Sequence, residues 1–337
     1  MRLILSHNIH SLVIDAGASS ELPTQLATAS ALLCSCALVC HGWLPMARFN
    51  FYKHIVLYRC KSYILLSRGF SHSHNLACLV RMVQFDLNGL RLYPSDASLI
   101  PFAPHAISRL SSLKMVTFFC PSAATCIFLP WASTFGICQT LATLRLREIV
   151  FDYFEYMVEL VWSLPGIKTL EINECSWVER TRHPLDPMNQ YPGRCAHLTE
   201  LKLVEAIDVA TVLGVFASPV IKNLLTLSPF NVNIQARPGD YAALATYVKL
   251  TELDLILDTT DLAWVAEALS HVRRGGLQVL SVTHWYASHQ DRHATLQNGI
   301  DIRLDDLLST SHHSALRRLA VCFLCESTRN DVDEYET

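Results

Sequence analysis

Charge is scarce in this 337-residue chain: only 17% of its residues are Asp, Glu, Lys or Arg, and the formal net charge is −3. No basic face stands out, which argues against a nucleic-acid binder, since those cluster Lys and Arg against the phosphate backbone. Glycine is scarce as well, with 12 in the chain, and none belongs to a phosphate-cradling loop. There is neither a G-x-S-x-G elbow nor an H-E-x-x-H helix. The 15 histidines include His72/His74 and His312/His313, but these lie in Ser-rich, polar text without a carboxylate or thiol at useful spacing. No nucleophile, base and orienting group can be named together. The chain therefore reads as non-enzymatic, with no cofactor.

Long apolar runs are missing too. Leu26–Cys40 is uncharged but only 15 residues long, short of the roughly 20 needed to cross a bilayer. Met115–Leu144 is also uncharged, yet Pro121 and Pro130 interrupt it. Asp15 and Glu21 precede the first apolar stretch, where a secretory leader would carry basic residues and then a greasy run. The expectation is a chain of the cytoplasm or nucleus with reduced thiols. Cys34, Cys36, Cys40 and His41 crowd together, but no second pair follows at zinc spacing. Among Ala, Leu and Val, free cysteines act as small hydrophobes.

What the chain has in quantity is apolar text, 51% of it, and that text repeats. The pattern apolar-x-x-apolar-x-apolar reads "VRMVQF" from Val80, "LKMVTF" from Leu113, "LATLRL" from Leu141, "IKTLEI" from Ile167 and "LTELKL" from Leu198. It returns as "LTELDL" from Leu250, "LQVLSV" from Leu277 and "LRRLAV" from Leu316, with a weaker "IKNLLT" from Ile221. Eight steps separate Val80 from Leu316, about 29.5 residues each. Each copy has the form of a short strand whose fourth and sixth residues face the core, while the third, fifth and seventh face away. Helical text lies between, several stretches opening on an aspartate that can cap free amides: Asp96, Asp152, Asp208, Asp240, Asp261 and Asp305. In "DYFEYMVELVWSLPG", Glu155 stands three residues after Asp152, a capping-box spacing, and Met157, Leu160, Val161 and Leu164 share one stripe.

A strand, turn and helix at this period resembles the leucine-rich repeat. "VRMVQFDLNGL", with Asn88, and "IKTLEINECSW", with Cys175, match the longer family pattern. The resemblance implies that the Asn or Cys bonds backbone groups across the turn and links neighbouring coils; Ile149, Pro229 and Trp285 take that place elsewhere. The fold expected over 78–325 is α/β, an irregular leucine-rich-repeat solenoid or horseshoe, with a doubly wound sheet as the alternative. The acidic tail, 326–337, lacks a packing pattern.

Ahead of the repeats, "CALVCHGWLPMARFNFYKHIVL" runs from Cys36 to Leu57. It is similar to the second half of an F-box in the form common in mushroom-forming fungi, with Leu38, Val39, Cys40, Trp43, Leu44, Pro45, Arg48, Phe49 and Leu57 at matching positions. Upstream, Ile9, Val13, Ile14 and Asp15 fit the first helix, whereas Ser6 and Asn8 depart from it. The resemblance implies a short all-α segment over 5–57 that binds a Skp1-like adaptor of a cullin ubiquitin ligase through Ile9, Val13, Ile14, Leu38, Val39, Trp43, Leu44 and Pro45. The repeats would then hold a target protein for ubiquitination. The alternative is a scaffold or binding protein that uses the repeats without a ligase. Target binding is expected on the outward strand positions, at Phe119, Arg145, Arg147, Glu171, Glu200, Lys202, Glu252 and Asp254. Their mixed polarity suits protein recognition. Ser176–Cys195 reads as a long loop between repeats.

Overall fold

The computed structural model describes residues 35, 41–57, 70, 74–86, 107–120, 135, 138–179, 195–204, 209–216, 220–227, 241–257, 268–273, 276–286 and 315–325. Every copy of the hexapeptide becomes a strand that starts at its third residue or continues from it. In chain order, β1 (His54–Leu57) precedes them. Then come β2 (Met82–Asp86), β3 (Met115–Phe119) and β4 (Thr143–Arg147). The set continues with β5 (Val150–Tyr153), β6 (Thr169–Asn173), β7 (Ser176–Glu179) and β8 (Glu200–Val204). It ends with β9 (Asn223–Leu227), β10 (Glu252–Leu257), β11 (Val279–Tyr286) and β12 (Arg318–Cys325).

Ten of these strands form one sheet in the order β1-β2-β3-β4-β6-β8-β9-β10-β11-β12, and every pairing in it is parallel. The order never reverses, so the sheet grows in one direction only; a doubly wound sheet changes direction at a switch point. β5 and β7 pair as a separate two-stranded parallel ribbon. The fold is thus mixed α/β around a parallel sheet.

The three apolar positions of the pattern account for the core. Val80, Leu113, Leu141, Ile167, Leu198, Ile221, Leu250 and Leu277, the first positions of eight copies, are buried, and Leu316 of the ninth is half-buried. Eight fourth positions stack in register as Val83, Val116, Leu144, Leu170, Leu201, Leu224, Leu253 and Leu280, all buried, while Leu319 on the last strand of the row is 45% exposed. Sixth positions add Phe85, Phe118, Leu146, Ile172 and Leu203. Phe85 and Phe118 stack at 5.1 Å, and Phe135 meets both edge-on. Each such side chain contributes on the order of 1.5–3 kcal/mol by leaving water, which is why one face is so strictly apolar.

The second residue of the pattern has its own role. The amide of Lys114 donates to the carbonyl of Arg81 at 2.8 Å, Ala142 to Lys114 at 2.9 Å, and Lys168 to Ala142 at 2.8 Å. The series runs on through Thr199, Lys222, Thr251, Gln278 and Arg317, each bonded to its predecessor. It begins at Lys53, whose carbonyl accepts from Arg81 at 2.9 Å. One backbone ladder therefore joins every repeat ahead of its strand. Immediately before that ladder the chain passes close over the previous repeat: a Cβ on Gly166 would lie 3.1 Å from the Gln139 and Leu141 carbonyl oxygens, and one on Gly276 3.2 Å from that of Leu250.

Several expectations are corrected. The all-helical reading of 5–57 fails at its end, where His54–Leu57 is the first strand of the sheet, paired with Met82–Phe85. The stretch "YKHIVL" from Tyr52 carries the repeat pattern, 28 residues before Val80. Asp152 does not cap a helix; it lies in β5, and the helix Phe154–Trp162 starts after Tyr153 with no side-chain cap bond. The stripe holds nonetheless, with Met157, Leu160, Val161 and Leu164 buried. The other five aspartates lie outside the described residues. Ser176–Glu179 is strand rather than loop because Ser176 continues the turn alongside Ile149, its amide donating to that carbonyl at 2.9 Å. The weak copy "IKNLLT" is explained by a shift in β9: Leu203 pairs with Leu227, so a leucine stands where strict counting puts Thr226.

At the turn, Cys175 is fully buried and its thiol donates to the Asn173 carbonyl at 3.4 Å. Burial pushes the thiol up to about 12, with backbone bonds from Ile149 and Asn173 opposing. The contact with Ile149 reaches the preceding repeat. Asn88 lies outside the described residues, and Trp285 is not in a turn at all: β11 and β12 run on for eight residues each, Trp285 pairing with Leu324. No helix among the described residues is long and apolar enough to cross a membrane.

Candidate functional site

Two surfaces hold the residues singled out by sequence. The first is the start of helix α1 (Leu44–Lys53), which follows a 3-10 turn at His41–Trp43. Pro45 is tolerated in the first turn because its missing N–H would have no partner there. Ala47 is the buried residue of the helix, so that face is turned inward. Trp43 is 45% and Met46 64% exposed, three residues apart at the start of the helix, with Phe51 exposed further along. Leu44 is half-buried and Pro45 exposed. Ile9, Val13, Ile14, Leu38 and Val39 lie outside the described residues. Three large apolar side chains are therefore exposed within Trp43–Phe51.

The second surface is the face of the sheet turned from the core. Strand register sorts its residues into rows. The first row reads His54, Met82, Met115, Thr143, Thr169, Glu200, Asn223, Glu252, Val279, Arg318. The middle row carries Gln84, Thr117, Arg145, Glu171, Lys202, Leu225, Asp254 and Ser281. The third begins Asp86, Phe119, Arg147, Asn173, Val204.

Within these rows opposite charges meet. Arg145 Nε lies 2.9 Å from Glu171 Oε2, though off the N–H direction, so the contact is an ion pair and Nε keeps no hydrogen-bond partner. Lys202 Nζ lies 3.4 Å from Glu200 Oε1, and the Thr169 hydroxyl donates to Glu200 Oε2 at 2.9 Å. Partly exposed pairs such as these hold orientation more than they add stability. The Arg147 guanidinium sits 5.9 Å from the Phe119 ring centre, a cation over an aromatic face. Its Nε, and Oδ1 of the neighbouring Asn173, are buried without partners.

Six of the eight expected residues are thus brought together on β3, β4, β6 and β8. Glu252 and Asp254 share the face but stand apart, with β9 between them and the Lys202 strand. Sequence reasoning missed His54, which opens the first row. Burial, then the charges of Arg145 and Lys53, lower its imidazole to about 4. Its Nδ1 has no partner. The tenth repeat copy at Tyr52 was the signal that could have found it. At the turns, Glu148 and Glu174 both take a left-handed backbone, φ 54° and 52°. Burial and then the Glu174 charge raise the Glu148 carboxyl, while Arg147 opposes.

No family model matches the chain, and no curated protein does. Among solved structures, it is similar to a chain in the crystal structure of a TLR13–ssRNA13 complex, at 16% identity over 75% of this chain, with a TM-score of 0.38. The match covers 34% of that chain. A likeness so loose carries no argument about function.

Proposed function

We propose that the protein is a substrate-recognition subunit of a Skp1-cullin-F-box ubiquitin ligase, with 78–325 forming an irregular leucine-rich-repeat solenoid that holds the target. The chain makes no covalent chemistry in this reading; it positions a target near a ubiquitin-charged partner. The observation that carries it is the uncovered Trp43, Pro45 and Met46 surface within text that resembles an F-box. Capping the end of the sheet calls for apolar residues turned inward, as Ala47 is; it does not call for a tryptophan turned out. The ten parallel strands in chain order support the solenoid, and the polar outer face suits a protein target.

Co-expression with a Skp1-type adaptor tests the proposal. A stable complex is expected, weakened at least about 30-fold by Trp43→Ala, the scale of a central aromatic anchor, and lost with Leu44→Asp. Failure to co-purify at low salt overturns the ligase reading and leaves a scaffold that uses its repeats alone.

A further inference from the structure

Among the described residues, pairing off the charges on the outer sheet face leaves a basic pole at Arg147 and an acidic one at Glu252 and Asp254, with unmatched Arg318 at the far edge. Arg145 is matched by Glu171 and Lys202 by Glu200. Among the described residues, Arg147 has no carboxylate within ion-pair distance; Glu148, next in the chain, feels its charge without pairing. Glu252 and Asp254 likewise have no cation within that distance among the described residues. Their register neighbours are Asn223, Val279, Leu225 and Ser281, all neutral, and Arg318 stands two strands beyond Glu252 in the same row. At the opposite margin, Asp86 is engaged with another group and His54 is neutral at physiological pH.

The geometry sets the distance between the poles. From β4 to β10 there are four strand steps, through β6, β8 and β9. At about 4.8 Å per step, with one row of offset along the strands, Arg147 and Asp254 stand about 20 Å apart along the sheet. An extended peptide rises about 3.3 Å per residue, so about six residues span that gap. Between the poles lie the internally matched pairs, then Leu225 in register with both Lys202 and Asp254.

We infer that the face recognises an extended segment of the target protein bearing an acidic residue and, about six residues away, a basic one. The acidic residue sits on Arg147, whose guanidinium is backed by Phe119. The basic residue sits between Glu252 and Asp254. A wholly acidic or wholly basic ligand would gain at one pole and be repelled at the other. This inference rests on the reading of the face as the target-binding surface.

Phage display of random twelve-residue peptides against the full chain at physiological salt tests it. Enriched peptides are expected to carry an acidic and a basic residue five to seven positions apart. Arg147→Gln and Asp254→Asn should each weaken a selected peptide about tenfold by fluorescence anisotropy, with the circular dichroism spectrum unchanged. Repeating the selection on Arg147→Glu should enrich a basic residue in place of the acidic one. Enriched peptides that weaken with Phe119→Ala but show no charge spacing overturn the inference and leave the face as a recognition surface. Peptides insensitive to every face variant, or no enrichment at all, overturn both. Displacement of the peptides by a twelve-nucleotide oligouridine overturns the inference in favour of a nucleic-acid site.

Discussion

His54 gives the most quantitative check on how α1 joins the sheet. Its imidazole is buried beside Lys53 and within reach of the Arg145 charge, and its value falls from 6.5 to about 4. The depressed value means that the unfolded chain takes up a proton before the folded one does. The stability this residue supports is whole above pH 6.5 and is lost as pH falls from 6.5 through about 4. At pH 5.5 the unfolded side chain is mostly protonated and the folded one hardly at all, a difference of about 1.4 kcal/mol; near pH 4 it approaches about 3 kcal/mol. Urea unfolding at pH 7.5 and 5.5, followed by tryptophan fluorescence, should show the wild type losing about 1.4 kcal/mol more than His54→Gln, which cannot take the proton. Carbon-13 histidine spectra, with the resonance assigned by that variant, should show it still neutral at pH 5.5. A His54 resonance that titrates near 6.5, or equal losses in the two proteins, would refute the burial argument.

Four further substitutions probe the packing. Leu170→Ala removes a fully buried side chain stacked between Leu144 and Leu201 and should cost about 2–5 kcal/mol in urea unfolding; Val178→Ala, on the exposed face of the ribbon, should stay within about 0.5 kcal/mol. Gly166→Ala forces a methyl group against two carbonyl oxygens at 3.1 Å and should destabilise by about 1–3 kcal/mol. Gly214→Ala, inside the helix Val209–Val215 with nothing within 4 Å of the added carbon, should instead stabilise by about 0.5–1 kcal/mol.

Much of the sheet could be read from the hexapeptide because its three apolar positions have no alternative to burial: Leu141, Leu144 and Leu146 all point to one core. The residue types alone placed Arg145, Glu171 and Lys202 on the opposite face, and parallel register then brought them side by side. Other features stayed hidden for physical reasons. Tyr52–Leu57 carries the same pattern, but helical text runs into it without a Pro or Gly to mark the change. Asp152 has the right neighbours for a cap, yet Phe151 is drawn into the core as a strand residue opposite Trp177, and that burial outweighs one capping bond. β9 hides its pairing because a register shift is a backbone event, and Thr226 gives no sign of it. Trp285 was expected in a turn, but the β-branched and aromatic run "VTHWY" favours continued strand.

The bond from Arg81 to the Lys53 carbonyl ties the end of α1 to the first rung of a series that continues to Arg317. Anything grasped at α1 and anything grasped on the sheet are therefore separated by a whole number of rungs. If the proposed function holds, inserting or excising one repeat between α1 and the sheet face would move a bound target by about 4.8 Å relative to the adaptor, so that repeat number sets the distance between them.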